Sequence, residues 1–343
     1  EIEVPFDALY GANSLRARNN FNITSQSMDS EMINAIVEVK KACAIENEKI
    51  GLLTRTQENA IVAACNQILA GQHRDNFIVD PIQGGAGTSF NMNANEVIAN
   101  VANTAMGGGL GTYENVHPND HVNLGQSTND VIPTSGKIAL IRYFNELIDE
   151  TILLIRSIEK KAEEFKDVYK MGRTQLQDAI PISLGQEFRA YARVITRDLE
   201  RFDLAVDSLS HVNLGGTAIG TGLNADPTYV EEIVGVLSEV TDLKLKQNED
   251  LIDGTQNLDG FLYVSGILKT FAANLSKISN DLRLMSSGPQ VGIGDIKLKP
   301  TQAGSSIMPG KVNPVIPEVV NQVAFNVIGN DMTVTMAVEA GQL

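Results

Sequence analysis

Tryptophan is absent from this sequence, and aromatic residues make up only 5% of its 343 positions. A core must therefore be packed mainly by aliphatic side chains. Cysteine is nearly missing too. Cys43 and Cys65 stand without CxxC or metal-ligand spacing, which argues against a disulfide framework and leaves two buried thiols of a reducing compartment as the expectation. No apolar run approaches the ~20 residues that span a bilayer, and no signal-peptide pattern opens the chain. Basic residues are outnumbered, 27 Lys and Arg against 42 Asp and Glu, for a net charge of −15. That balance disfavours nucleic acid and anionic membranes as partners. It leaves small anionic substrates open, because their affinity follows the local field of a pocket. Neither a Ser-His-Asp pattern with a nucleophile elbow nor a GxxxxGK[ST] phosphate loop occurs.

What is present is ordinary globular composition, 43% hydrophobic and 20% charged, and enough length for two or more cores. Residues 1–27 read as irregular. A helix is expected from "SMDSEMINAIVEVKKACAIENEKIGLL", with Asp29 or Ser30 as N-cap, and another over 56–71. The stretch 83–100 reads as a Gly-rich turn running into a helix. Lys137 to Met171 contains neither Gly nor Pro. Its apolar residues Ile141, Phe144, Ile148, Ile152, Ile155, Ile158, Ala162 and Phe165 fall at steps of three or four, the signature of one long amphipathic helix. The series Phe261, Val264, Leu268, Phe271, Leu275, Ile278, Leu282, Met285 alternates three and four strictly, as a coiled-coil-like seam does. Further helices are expected over about 182–210 and after Pro314 and Pro317. Helices this long point to a bundle, and long seams point to association with further copies of the chain. The chain begins with Glu1 and ends in "TVTMAVEAGQL" without a helix-ending cap, so a fragment at both ends is expected.

Polar, glycine-bearing stretches interrupt the helical pattern. In "GGAGTSFNMNANE" (84–96), glycines let the backbone approach a ligand, and Thr88 and Ser89 stand where a helix starts, a position that favours anions. Gly-rich turns of this kind also occur simply as turns. In "HPNDHVNLGQSTNDVIPTS" (117–135), Ser127, Thr128 and Asn129 are consecutive short hydrogen-bonding side chains. They suit either a carboxylate clamp or the cap of the next helix. His117 and His121 have i, i+4 spacing, but Pro118 lies between them and no third ligand is evident, so no metal site is expected. "KMGRTQLQDAIP" (170–181) adds Thr174 and Gln175 at another break between helices. "AGSSIMPGKVNP" (303–314) holds two adjacent serines, Lys311 and Asn313 among two glycines and two prolines. Many neutral donors with one cation suit a dicarboxylate whose charge grows in the transition state.

"GGAGTSFNMNANEV", "HPNDHVN…QSTND" and "GSSIMPGKVNP" resemble, in this order along the chain, the three signature blocks of the aspartase/fumarase superfamily, and the resemblance covers essentially the whole chain. "VDPIQGGAGTS", "GRTQLQDA", "NEDLIDGTQN" and "NPVIPEVVNQVAFNVIGND" look most like its aspartate ammonia-lyase branch. Fumarases resemble the chain in "HPNDHVN". They usually read "SSND" where this chain has "STND", and His where it has Gln175, a position at which aspartases carry either residue. Gly125 stands where the family more often has Ser.

The resemblance implies a mainly α fold, with a small N-terminal domain (1–129) followed by a long up-down helical bundle (130–343) and with the family's C-terminal domain absent. It implies a cytoplasmic homotetramer whose active sites each take the three blocks from three subunits. It implies reversible anti elimination of ammonia from L-aspartate to fumarate through an aci-carboxylate, without a cofactor or metal. Ser305 is then the base. Thr88, Ser127, Thr128, Thr174 and Gln175 hydrogen-bond the β-carboxylate, Asn129 helps hold the amino group, and Lys311 and Asn313 hold the α-carboxylate. The 288–306 stretch has the Gly and Pro content of a lid, and Ser306 is expected to give backbone support. The alternatives left open are a fumarase and a truncated, non-catalytic structural relative.

Overall fold

Helix starts are set by side chains that accept the otherwise unpaired N–H groups of the first turn. In the computed structural model, which describes residues 2–304 and 306–341, Asp29 accepts from Glu31 and Met32 N–H and so starts α2 (Ser30–Lys49). Thr54 and Gln57 form a capping box at α3 (Arg55–Leu69). Before them, α1 (Ala12–Asn20) occupies part of the stretch expected to be irregular. Its N-terminus is capped from far away in sequence. The buried Glu96 carboxylate, on α4 (Thr88–Ala105), accepts from the N–H groups of Gly11, Asn13 and Ser14 and from the Ser14 hydroxyl. The chain then runs through α5 (Thr128–Glu164), the antiparallel strands β1 (Tyr169–Thr174) and β2 (Gln177–Ser183), α6 (Leu184–Ser210), β3 (His211–Val212), α7 (Pro227–Thr241), β4 (Lys246–Gln247), α8 (Leu251–Gln256), α9 (Asp259–Met285) and α10 (Val315–Glu339). β3 and β4 form a short parallel pair. The fold is mainly α, as the sequence implies.

Two units are distinguished: residues up to 143 together with 209–258, and residues 144–208 together with 259–341. In the first, α2 is the central helix and packs on α3, α4 and α7. Its inner face is aliphatic, with Ile36, Val37, Val39 and Ala42 fully buried. Both thiols are buried there as expected, and the Tyr229 hydroxyl donates to Cys43 Sγ at 3.1 Å. In the second unit the few aromatics are concentrated. Phe144, Phe202 and Phe271 stack edge to face, with centroids 5.6 and 5.1 Å apart, joining α5, α6 and α9. On α9 the expected seam is realised in a two-fold way. Val264, Phe271, Ile278 and Met285 are buried, seven residues apart, while Phe261, Leu268, Leu275 and Leu282 between them are only partly buried.

α5 departs from expectation at both ends. It starts at Thr128 and includes Pro133, because its N-terminus is fixed by a reciprocal cap rather than by the Gly/Pro-free run. Its last turn ends at Glu164, and residues 169–183 form the β1–β2 hairpin, with Tyr169 opposite Ser183 and Thr174 opposite Gln177. Among the described residues no helix is long and apolar enough to cross a membrane.

Candidate active site

The first unit builds its polar site from two helix starts. Gly85, Ala86 and Gly87 all have positive φ, which turns the chain sharply into α4. Gly87 also allows close approach, since a Cβ there would lie 2.9 Å from the Ile132 side chain on α5. One turn on, Asn91 Nδ2 lies 3.4 Å from Thr128 Oγ1. The first turns of α4 and α5 therefore lie side by side, and with them Thr88, Ser127, Thr128 and Asn129. Two helix starts together concentrate partial positive charge and free N–H groups.

The individual side chains are held in specific hydrogen-bonding states. Thr88 is exposed, and its hydroxyl donates to Gly85 O at 2.7 Å. Ser127 Oγ accepts from Asn129 N–H at 3.2 Å, and Asp130 Oδ1 accepts from Ser127 N–H at 2.9 Å, a capping box with Asp in the third position. The cap reading of "STN" is realised: the Ser127 oxygen accepts from the backbone, leaving its O–H proton to donate. Asn129 Nδ2 donates to Ala218 O at 2.7 Å, so the side-chain carbonyl is the end left to accept a hydrogen bond. Pro133 cannot donate to the Asn129 carbonyl, and Asn213 Nδ2 supplies the missing donor at 3.1 Å.

Two buried charges lie beneath this clamp. Lys40 is fully buried, and its Nζ donates to Asn123 Oδ1 and Gln126 Oε1, both at 2.8 Å. Burial lowers its pKa to about 7, against the attraction of nearby Asp130. Asp130 accepts from Ser127, Gly215 and Thr217 N–H. Burial nevertheless raises its pKa to about 6. The loop that supplies these donors, "NLGGTAIGTGLN" (213–224), is the functional segment that sequence reading passed over. Its signal was four glycines within eight residues, 215–222. Gly220 has positive φ and packs so closely on α8 that a Cβ would lie 2.4 Å from Ile252 Cα.

His117 and His121 hold the turn at Pro118–Val122. His117 Nδ1 accepts from Asn119 and Asp120 N–H, and His121 Nδ1 accepts from His117 N–H. Among the described residues no group of three His, Cys, Asp or Glu could hold a metal ion.

The second unit carries the remaining predicted residues at two turns. Thr174 and Gln175 sit at the tip of the β1–β2 hairpin, exposed. Gln175 and Leu176 both have positive φ, 52° and 62°. That is the conformation of a two-residue hairpin turn, usually supplied by Asn-Gly, and here it holds Gln175 under backbone strain. Lys311 and Asn313 are exposed on the segment before α10. The segment doubles back tightly: a Cβ on Gly304 would lie 1.9 Å from Lys311 O, and Gly310 has positive φ. Ser305 lies outside the described residues. The structure thus brings Thr88, Ser127, Thr128 and Asn129 together, and places Thr174, Gln175, Lys311 and Asn313 in the other unit.

The chain belongs to the lyase family, whose model matches residues 1–329. It is 53% identical over 342 residues to an aspartate ammonia-lyase of Bacillus sp, covering 100% of this chain and 73% of that protein. It is 51% identical over 344 residues to the aspartate ammonia-lyase of Escherichia coli strain K12, covering 99% and 72%. Among solved structures it is similar to a fumarate lyase:delta crystallin from Brucella melitensis bound to cobalt, with TM-score 0.98 and 49% identity over 100% of this chain and 75% of that one. A class II fumarase from Schistosoma mansoni matches with TM-score 0.96 and 36% identity, over 100% and 75%.

Proposed function

We propose that this chain catalyses the reversible anti elimination of ammonia from L-aspartate, giving fumarate. The observation that carries this reading is the pair of adjacent helix starts bearing Thr88, Ser127, Thr128 and Asn129. It joins neutral donors to an acceptor for an ammonium group, in a chain about half identical to aspartate ammonia-lyases.

The Cβ proton of aspartate is weakly acidic, and its removal puts a second negative charge on the adjacent carboxylate. A site that lowers this barrier must bind the resulting aci-carboxylate more strongly than the ground-state carboxylate. Ser127 and Thr128 are neutral donors on the positive end of a helix, Thr88 joins them when its hydroxyl turns from Gly85 O to substrate, and Thr174 and Gln175 add two more. Each donor that tightens only in the transition state contributes about 3–4 kcal/mol. The α-carboxylate goes to Lys311 and Asn313, the ammonium group to the Asn129 carbonyl. Ser305 takes the Cβ proton. A serine hydroxyl needs its pKa lowered for this, by N–H groups of its glycine-bearing loop and by Lys311. The Cα–N electron pair then leaves with ammonia, the Cα–Cβ double bond forms, and the serine proton passes out to regenerate the base.

The same reading includes a cytoplasmic homotetramer with sites composed from three subunits, and a division into 1–129 and 130–343. Assembly is supported by exposed apolar side chains along α10. Ile316, Val319 and Val323 recur at helical spacing on one side of α10, and Phe325, Ile328, Met332 and Met336 do so on the opposite side, all exposed. Burying such a stripe against other helices is the ordinary way to remove it from water. The exposed hairpin residues Leu176 and Ile180 are a second such surface.

The test is fumarate formation, followed by its ultraviolet absorbance, from L-aspartate and from L-malate in parallel. Fumarate from aspartate with matching ammonia is expected, and fumarate from malate alone would transfer the assignment to a fumarase. Ser305→Ala is expected to keep the fold and thermal midpoint and to lower kcat roughly 10³-fold or more. Activity near that of the unaltered chain would sink the base assignment.

A further inference from the structure

The segment that follows α9 is anchored at its root. Gly294 N–H donates to Ser287 O at 3.0 Å, Ile293 N–H to Ser287 Oγ at 3.2 Å, and Ile296 N–H to Met285 O at 3.3 Å. Gly292 is packed so tightly that a Cβ would lie 2.4 Å from Ser287 O. Between these bonds, Asp295 reaches the strand β1. Its Oδ2 accepts from Arg173 Nη1 at 2.6 Å and lies 3.3 Å from Lys170 Nζ, and its Oδ1 lies 3.5 Å from Arg173 Nη2. Lys170 is shared with Glu187 on α6, at 3.0 Å. The side chains of Lys170, Asp295 and Arg173 are only 9%, 15% and 20% exposed. Two cations and two anions are thus interleaved in a site that water screens poorly, unlike the exposed pairs that contribute little. Partial burial of Asp295, which alone pushes a carboxyl pKa up, is outweighed by the hydrogen bonds from Arg173 and Lys170, so the group is held below the usual carboxylate range.

Arg173 directly precedes Thr174, and the segment Asp295 anchors runs on in sequence to the block bearing Lys311 and Asn313. We propose that Asp295 is a positioning residue for the reaction, a latch to Arg173 and Lys170 that joins the substrate-binding hairpin and the root of the 286–304 segment into one body. The latch touches no substrate. It acts by removing a degree of freedom between two blocks that must be correctly placed at the moment of proton removal, where misplacement by about 1 Å costs up to ~10²-fold in rate. The kinetic consequence rests on the ammonia-lyase reading above. The coupling of segment to hairpin does not.

The experiment compares Asp295→Asn and Asp295→Glu with the unaltered chain by kcat and KM for L-aspartate, by hydrogen exchange of peptides covering 286–304 and 169–183, and by thermal midpoint. Asp295→Asn keeps the shape and leaves Lys170 facing Glu187 at 3.0 Å and Arg173 facing Asp178 at 3.7 Å. The expected result is a midpoint lowered by about 2–4 °C, because a partly buried ion-pair network loses a charge while no apolar burial is lost. Exchange across 286–304 and 169–183 should be at least ~5-fold faster. The value of kcat should fall roughly tenfold while KM moves less than about threefold, the split for an interaction needed in the transition state. Asp295→Glu, which keeps the charge, should recover kcat to within about threefold. Unchanged exchange in Asp295→Asn overturns the latch. Faster exchange with unchanged kcat overturns its positioning role. If the unaltered chain makes no fumarate from aspartate, the functional reading falls by itself, and the exchange measurement alone decides the latch.

Discussion

Lys40 shows how one residue beneath the site couples its chemistry to pH. The unfolded chain holds this proton to a pH of about 10.4, whereas burial in the fold lets it go near 7. Between those values the unfolded state binds more protons. Lys40 therefore adds to stability as pH rises through that window, and its burial is most costly below it. Asp130 has the opposite sign at lower pH. Its folded pKa of about 6 lies above the ordinary value of about 3.9, so stability falls as pH rises between them. In Lys40→Met the alkaline gain disappears while other groups titrate as before. The thermal midpoint of the unaltered chain minus that of the variant should therefore grow steadily from pH 7 to about 9.5. A difference that stays flat across that range would show that Lys40 does not titrate near neutrality.

At the scale of elements, the start of α5 carries the clamp and is unusual in holding Pro133 in its second turn. A proline there normally costs ~3 kcal/mol or more. Asn213 reduces that cost by donating to the Asn129 carbonyl, and it also donates to Thr255 Oγ1 at 3.0 Å. Asn213→Ala is expected to destabilise the fold by about 1–3 kcal/mol, because the Asn129 carbonyl and Thr255 lose the partner that the fully buried Asn213 supplies. It should also raise KM for aspartate, since Asn129 is no longer held. A thermal midpoint within 1 °C of the unaltered chain, as an order-of-magnitude bound, would show that the carbonyl finds another partner.

The same elements show what sequence could and could not reveal. α2 and α9 were legible because their caps and apolar periods are local: Asp29 adjoins its helix, and Val264, Phe271, Ile278 and Met285 mark one face. α1 was not, because the carboxylate that caps it stands 82–85 residues away. The hairpin read as a mere break because its turn is Gln175–Leu176, residues that do not advertise positive φ. The Gly/Pro-free run placed the start of α5 near Lys137, and the donor that lets the helix include Pro133 is 84 residues from the carbonyl it serves. In the site, the hydroxyl and amide residues stood out as motifs. Lys40 did not, since nothing in "VKKAC" distinguishes the fully buried Lys40 from Lys41 beside it, which reaches Asn66 near the surface.

At the scale of the whole molecule, α9 and α10 present two kinds of face, one buried in the chain and one partly or fully open. If the open faces assemble a tetramer with composite sites, two inactive variants should rescue one another. Ser305→Ala and Thr128→Ala, each inactive alone, are expected to regain about one quarter of full activity when refolded together in equal amounts. Half the sites draw an intact serine, and half of those an intact threonine. No recovery in mixed oligomers would mean that each site takes both residues from one chain.

The bonds from Asn213, Gly215 and Thr217 to the first turn of α5 also set a schedule. They span 84 to 87 residues, and a ribosome adding about 5–20 residues per second needs roughly 4–17 s to make that stretch. Through that interval the nascent chain already contains Ser127, Thr128 and Asn129 but not the donors that hold Asp130 and the Asn129 carbonyl. These helix-start residues are thus synthesised well before the loop that locks them.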